Sequence, residues 1–549
     1  MRFALGLLLR HRPVCHSEPE SLMVRRIFLA LVMIAMHFPT QAFSEPRLRA
    51  GEAALMTIEE PGQIRLFAID ANEGDYIRGT LYVTRGRIRL DLVNAAGNSL
   101  RRFVEHAEGE SEFQFVVGSQ HERLQITAET ATEARVLIIN RVEVGEQKVP
   151  KSQPASPRML KLMAAVERGE TTEAFWNEVS AAGAPLVEPG ADGQTLVTFL
   201  GRGARKNIRM FGAPSGDHEN LERLGETDVW FKTFSVPSDT RLSYQLAFDV
   251  PDLPGSDRDR RVAILSTAAA DPLNRKPWPA DAPDRFNQDS VLELPGAPEQ
   301  PFVVDRGRPG GAISNFRIAA KKLGNERDIT IYTPPAYDPG NADNLLLFVF
   351  DAREYLSKVP LPLILDNMIA EKRIPPVVAV FVANPDRQAR GRELPGNADF
   401  ADFLAKELLP EIVRRTNVMQ TPERTVLAGS SYGGLASATI ALRHPEAFGN
   451  VLSLSGSFWW SPAGADKTEY VAWEVATGPQ RKIRFFLGAG LFETRGSHAV
   501  GGILETNRHL RDVLTARSYS VTLKEYAGGH DYLVWRGAIS DGLEILFGH

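Results

Sequence analysis

The 549-residue sequence has almost no cysteine: its single one, Cys15, cannot close a disulfide within the chain and lies too near the N-terminus to join a Cys/His metal cluster. A disulfide-stapled scaffold and a thiolate-zinc protein are both excluded. A basic excess is also missing. The 63 Lys and Arg residues are outnumbered by 68 Asp and Glu, for a formal charge of −5, so the chain offers no positive field to duplex nucleic acid. Long apolar runs are lacking too: Ile27 to Phe38 covers about a dozen residues, short of the roughly 20 that span a bilayer, and nothing downstream is comparable. What is present, 43% hydrophobic and 24% charged residues, is the composition of globular domains. The length suggests three or four of them at roughly 150 residues each.

The one apolar run reads as part of a leader. Met23, Val24, Arg25 and Arg26 form a basic start, Ile27 to Phe38 an apolar centre, and Ala42, Phe43 and Ser44 a small-residue cleavage site after Pro39. Residues 1–44 are therefore expected to be a signal peptide, with Met23 as the natural start and a periplasmic or secreted product. An uncleaved N-terminal anchor is the alternative. Cleavage after Ser44 leaves a mature chain without cysteine and without a membrane span.

Beyond the leader the rhythm changes twice. Residues 47–147 alternate apolar and polar positions in short runs, as in Gln63 to Ile69, Ile88 to Val93 and Val136 to Val142, with turn signals at Glu73-Gly74-Asp75 and Ala96-Gly97-Asn98. This predicts a jelly-roll-like β-sandwich, closed by a linker from Lys148 to Pro157. Residues 158–305 open with a helical stretch to about Val179 and continue with strands Thr195 to Leu200, Val229 to Thr233 and Leu242 to Phe248, a second sandwich. The Pro- and Asp-rich segment Asp271 to Pro295 reads as a long loop. From Arg308 the runs Leu345 to Phe350 and Val377 to Val382 are apolar throughout and alternate with helical stretches at Leu361 to Lys372 and Phe400 to Arg415. Strands buried on both faces and separated by helices predict a mostly parallel α/β sheet over residues 308–549.

The chemistry is concentrated in that third region. Gly429-Ser430-Ser431-Tyr432-Gly433 matches G-x-S-x-G between a predicted strand and an Ala-rich helix, the setting of a nucleophile elbow, with Ser431 as nucleophile. A serine hydroxyl needs a base and a carboxylate to orient that base. His530 follows the strand Val521 to Tyr526 in the loop Ala527-Gly528-Gly529-His530-Asp531 and occupies the base's place in chain order, whereas His444 and His509 lie on or at the ends of helices. Among the carboxylates Glu493 leads, beyond the turn Gly488-Ala489-Gly490, with Glu505 and Asp531 behind it. Tyr432 N–H is one oxyanion donor; the second is expected from Ala352 or Arg353 in the loop Asp351 to Tyr355. Such a site requires no metal or organic cofactor.

The elbow Gly429 to Gly434, Ser455-Gly456-Ser457-Phe458-Trp459-Trp460, Glu505-Thr506-Asn507-Arg508, and Gly528 to Asp531 with Trp535-Arg536 resemble the enterochelin esterase family, in the esterase-D-like branch of α/β hydrolases. The N-terminal domain of that family is resembled by Phe175-Trp176, Thr227-Asp228-Val229-Trp230 and Val291 to Pro298, so the likeness runs from about Phe175 to the C-terminus and leaves out the first sandwich. Ala352 departs from it, the family more usually having Gly there. The resemblance implies hydrolysis of the ester backbone of enterobactin-like catecholate siderophores, with release of iron from the broken chelator. A ferric catecholate is anionic and aromatic. Arg390, Arg392, Trp459, Trp460, Trp535 and Arg536, on the predicted active face, are the candidates to bind it. Two other readings stay open: a carbohydrate esterase acting on feruloyl or acetyl groups, and a non-catalytic ligand-binding protein.

Overall fold

The computed structural model describes residues 45–147, 155–215, 218–251, 262–282, 284–285, 287–494 and 501–548. The expected signal peptide, with Cys15, lies outside them. The chain divides into two compact units, Met1–Lys151 and Ser152–His549. Among the described residues no helix is long and apolar enough to cross a membrane.

The first unit is one seven-stranded sheet folded over its own core. Its centre is the hairpin of Tyr76–Val93 with Ser99–Val116. The first half of Tyr76–Val93 pairs with Thr132–Val142 and the second half with Arg123–Ala128, the register shifting near Arg85. Leu81 and Ile138 from one leaf and Leu90 and Ile126 from the other fill a single core. The strand expected over Ile88 to Val93 is thus the far half of a longer one, because alternation continues through the bend.

In the second unit the helical stretch after the linker is two helices, Pro157–Glu167 and Glu173–Ala182. Gly169 separates them with φ 84°, a left-handed conformation that ends the first helix. Both pack on a four-stranded sheet through Met159, Leu162, Trp176 and Val179. The other face of that sheet shares a core with a six-stranded sheet: Val197, Phe199 and Trp230 meet Met210, Leu242, Tyr244 and Leu292. The segment expected as a loop from Asp271 to Pro295 contains two paired strands, Pro277–Trp278 and Asp289–Glu293, the second joined to Arg241–Phe248. Proline there ends strands without preventing them: Pro277–Trp278 is a short edge piece, and Asp289–Glu293, which carries no proline, is paired on both sides.

The remaining sheet has eight strands in the order Ala312–Ala320, Asn325–Thr333, Val377–Val382, Leu345–Phe350, Thr425–Ser430, Asn450–Leu454, Arg484–Gly490 and Ser520–Tyr526. The first two pairings are antiparallel and the rest parallel. Leu346, Phe348 and Phe350 enter the core on one face, and Leu345, Leu347 and Val349 the core on the other. Burying each such side chain contributes about 1.5–3 kcal/mol, so this strand is a rigid mount for the turn at its C-terminal end. Chain order reverses between Leu345–Phe350 and its neighbour Thr425–Ser430, which makes the crevice beyond their C-terminal ends the topological switch point.

The elbow helix Tyr432–Arg443 is anchored at its far end. Arg443 donates to Asp402 Oδ1 at 2.9 Å, Lys406 donates to Oδ2 at 3.0 Å, and His444 Nε2 lies 2.9 Å from Oδ1. These bonds, Arg443's foremost, hold the Asp402 carboxyl well below the usual carboxylate range. A lowered folded-state value gives stability that is fully present above the unfolded pKa near about 3.9 and is lost as the pH falls through the folded value. Asp402→Asn should therefore lower the melting temperature at pH 7, and the gap from wild type should narrow progressively below about pH 4; a gap that widens in acid would show the sign to be wrong.

Candidate active site

Three neighbouring strands of the large sheet end in the same unusual way. Asp351 follows Leu345–Phe350 with φ 59°, Ser431 follows Thr425–Ser430 with φ 58°, and Ser455 follows Asn450–Leu454 with φ 48°. None is glycine. Such conformations cost on the order of 1–3 kcal/mol and persist only where the surroundings over-determine them; here the buried strands do so. Each turn lifts its side chain or the next amides to the switch point.

Ser431, at φ 58° and ψ −119°, is the tight turn that G-x-S-x-G predicts. A Cβ on Gly429 would come 2.7 Å from the backbone of Gly433, and one on Gly434 would come 2.4 Å from Ser453 Oγ and 3.0 Å from Gly456 Cα. Gly429 of the motif and Gly434 just beyond it stand where this crowding leaves no room for a side chain. Ser431 N–H donates to Leu454 O at 2.9 Å, and its Oγ lies 3.4 Å from Ser457 Oγ.

The carboxylate and imidazole meet at the next strand ends. Glu493 is 3% exposed at its side chain, and His530 Nδ1 lies 2.6 Å from its Oε1. Its Oε2 accepts from Gly490 N–H at 2.7 Å and from Ser455 Oγ–H at 2.8 Å. Both oxygens of this buried carboxylate are thus taken up by hydrogen-bond partners. The contact places the imidazole proton on Nδ1 and leaves Nε2 as an acceptor. Trp535 lies beneath: its ring meets that of His530 edge-on at 4.9 Å, and its indole N–H donates to Ser455 Oγ at 2.8 Å. The His530 side chain is 41% exposed, so its imidazole is reachable from solution.

No hydrogen bond joins Ser431 to His530 among the described residues. They are linked through shared neighbours: Ser431 bonds to the backbone of Leu454, and the next residue, Ser455, bonds to both Glu493 and Trp535. Glu505 lies on the helix Ile503–Ala516. Asp531 turns away from His530 and caps the helix Tyr532–Phe547. His444 is buried between Asp402 and Glu446, and His509 meets Glu469.

The stretch expected as a loop at Asp351 to Tyr355 is a short helix, Ala352–Leu356. The left-handed residue is Asp351, so Ala352 needs no glycine-like freedom. The amides of Ala352 and Arg353 belong to a first helical turn, where N–H groups have no acceptor within the helix, as does Tyr432 N–H at the start of its own helix.

Several residues expected to bind substrate have other work. Arg390 donates to both oxygens of Asp351, from Nε at 2.7 Å and from the guanidinium terminus at 2.8 Å, and lies over the Tyr432 ring at 5.9 Å. It braces the two elements that carry the candidate oxyanion donors. Trp535, 4% exposed, is a floor beneath His530. Trp460 packs on Tyr470 and fills the space over Gly396. Arg536 donates to Gln300 Oε1 at 2.6 Å and lies over Trp278. Arg392 is exposed on the helix Arg387–Glu393, and Trp459 is partly exposed beside Tyr432. The pattern of charges and aromatics does not separate these roles, because a brace and a binding group use the same residue types. Sequence reasoning misses the parts played by Asp351 and by Ser455, and the contact of Lys358 Nζ 5.5 Å over the Trp278 ring. Ser455 stands within a family-like segment, which is a signal of sorts; Trp278 carries no local one.

An esterase family model matches residues 320–546 and the model of the enterochelin esterase N-terminal domain matches residues 196–303. The iron(III) enterobactin esterase of Dickeya dadantii is 33% identical over 442 residues, 72% of this chain and 97% of that protein. The chain belongs to the enterochelin (enterobactin) esterase family. It is an ester hydrolase. The iron(III) salmochelin esterase of Escherichia coli O6:H1 is 30% identical, over 68% of this chain and 93% of its own length. Among solved structures, the ferric enterobactin esterase of Salmonella typhimurium aligns with a TM-score of 0.57 at 29% identity, covering 68% of this chain and 98% of that one. The enterobactin esterase of Shigella flexneri, crystallised in the presence of enterobactin, aligns with a TM-score of 0.54 at 28% identity, covering 68% and 97%. Both family models lie within the second unit.

Replacing Arg390 by Ala leaves Asp351 buried with Asn384 as its remaining side-chain donor. By loosening the donor elements it should reduce kcat for a small ester by roughly tenfold to a hundredfold, with KM nearly unchanged. Steady-state kinetics check this, and a change confined to KM would return Arg390 to the substrate.

Proposed function

We propose that the protein is a serine esterase that cleaves the ester backbone of enterobactin-like catecholate siderophores, with Ser431 as nucleophile, His530 as base and Glu493 as the acid that orients it. The observation that carries this is the 2.6 Å contact between His530 Nδ1 and buried Glu493 beside a serine held at φ 58°. The substrate class is supported by relatives named for enterobactin and salmochelin hydrolysis.

As substrate fills the crevice, Ser431 Oγ turns from Ser457 toward His530 Nε2; catalytic hydrogen bonds are often long in an empty site and tighten on binding. His530 takes the proton as Oγ attacks the ester carbonyl. The oxyanion is held by the N–H groups of Tyr432 and of Ala352 or Arg353, and the Glu493 carboxylate stabilises the imidazolium. Collapse expels the alcohol, which receives the proton from His530. Water then enters by the same base and releases the acid. Cutting the ester backbone destroys the preorganisation of the chelator, which frees iron without any change in the catechols. The Met23 to Ser44 leader supports action outside the cytoplasm; sequencing the N-terminus of the protein recovered from the periplasm tests it.

The purified protein should convert ferric enterobactin to 2,3-dihydroxybenzoyl-serine and its linear oligomers, followed by chromatography. Ser431→Ala should lower kcat by roughly 10⁴-fold or more. Preferential turnover of feruloylated sugars would move the assignment to a carbohydrate esterase. Siderophore binding without any turnover by the wild type would make it a binding protein.

A further inference from the structure

The Glu493 and His530 loops belong to the large sheet, yet both are fastened to the sandwich that precedes it. Phe492, next to Glu493, is 8% exposed and sits in the sandwich core with Phe199, Trp230, Leu242 and Tyr244, while Leu491 packs at its edge. On the His530 side, Asp531 is 9% exposed, and its Oδ2 accepts a hydrogen bond from the backbone N–H of Ser243 in the sandwich strand Arg241–Phe248. The other oxygen accepts from Leu533 N–H at 2.8 Å. Arg241 N–H donates to Ala527 O at 2.9 Å, and the backbones approach so closely that a Cβ on Gly528 would come 2.7 Å from Arg241 O. The loops are also tied to each other, Leu491 N–H to Tyr526 O at 2.8 Å and Phe492 N–H to Gly528 O at 3.1 Å.

Resting on the triad proposed above, we infer that the sandwich sets the catalytic geometry: Phe492 and Asp531 are positioning residues, anchored in the sandwich, that hold Glu493 and His530 in register. One apolar knob and one hydrogen-bonded tether flank the pair on either side. The knob fixes how far the Glu493 loop leaves the sheet, and the tether fixes where the His530 loop turns into its helix. Neither side chain touches the reacting atoms. Asp289 and Lys358, with Arg536, supply the other charges that act on Asp531, so the tether is a buried acceptor within a mixed charge environment.

The test uses the full-length protein and p-nitrophenyl acetate, which lacks catechols and reports on the chemistry alone. Phe492→Ala and Asp531→Asn are each expected to lower kcat at least tenfold with KM within twofold. They should also move the acidic limb of the pH profile of kcat/KM to lower pH, because an imidazolium less well held by Glu493 loses its proton more readily. Phe492→Leu, which refills the apolar pocket, should restore most of the rate. If these variants melt earlier but keep the wild-type kcat and acidic limb, the sandwich is only a stabilising neighbour and the inference is overturned. Asp531→Asn leaves the apolar packing in place and carries the test should Phe492→Ala fail to fold. Ser431→Ala separates the two levels: wild-type activity there overturns the triad and this inference together, whereas its loss alongside fully active Phe492→Ala and Asp531→Asn overturns the positioning role alone.

Discussion

A carboxylate withdrawn from water must be met by donors, and the geometry around Glu493 follows from that requirement. Its two oxygens take up the Gly490 amide, the Ser455 hydroxyl and the His530 ring. The amide fixes the loop to its strand end, the hydroxyl ties it to the neighbouring strand and to Trp535, and the ring is left with one orientation. The pairing organises a half-exposed histidine that would otherwise rotate freely, and it does so because the carboxylate has no solvent to turn to.

The same economy governs the strand ends. Asp351, Ser431 and Ser455 each take a left-handed backbone conformation after adjacent buried strands. A flexible sheet would relax such turns. This one is filled on both faces by residues such as Phe348, Phe350, Leu347 and Val349, so the strain stays where the chain must turn sharply, and Arg390 locks the first of the turns through Asp351. Rigid strands, strained turns and paired charges therefore act together to fix the residues at these strand ends.

Much of this is legible in the sequence where the signal is local. The apolar runs at Leu345 to Phe350 and Val377 to Val382, the elbow about Ser431, and His530 between paired glycines and a helix each carry their meaning within a few residues. Legibility fails where one residue type serves two ends. Arg390, Trp460 and Trp535 are expected to face substrate and instead brace the site, since bracing a strained loop and binding an anionic aromatic both call for arginine and tryptophan. The segment from Asp271 to Pro295 looks like a loop because its prolines mask two short strands.

The sequence by itself determined the esterase domain with its apolar strands and helices, and the elbow serine and loop histidine as candidates, because periodicity and turn chemistry are properties of neighbouring residues. Only the tertiary structure decided that Glu493, and not Glu505 or Asp531, meets His530, that Asp351 carries the left-handed turn in place of Ala352, and that Phe492 and Asp531 reach into a sandwich far earlier in the chain, as Ser243 and Asp531 do across 288 positions. Such contacts join side chains distant in the sequence, and their partners are chosen by which buried groups remain to be satisfied once the cores have packed.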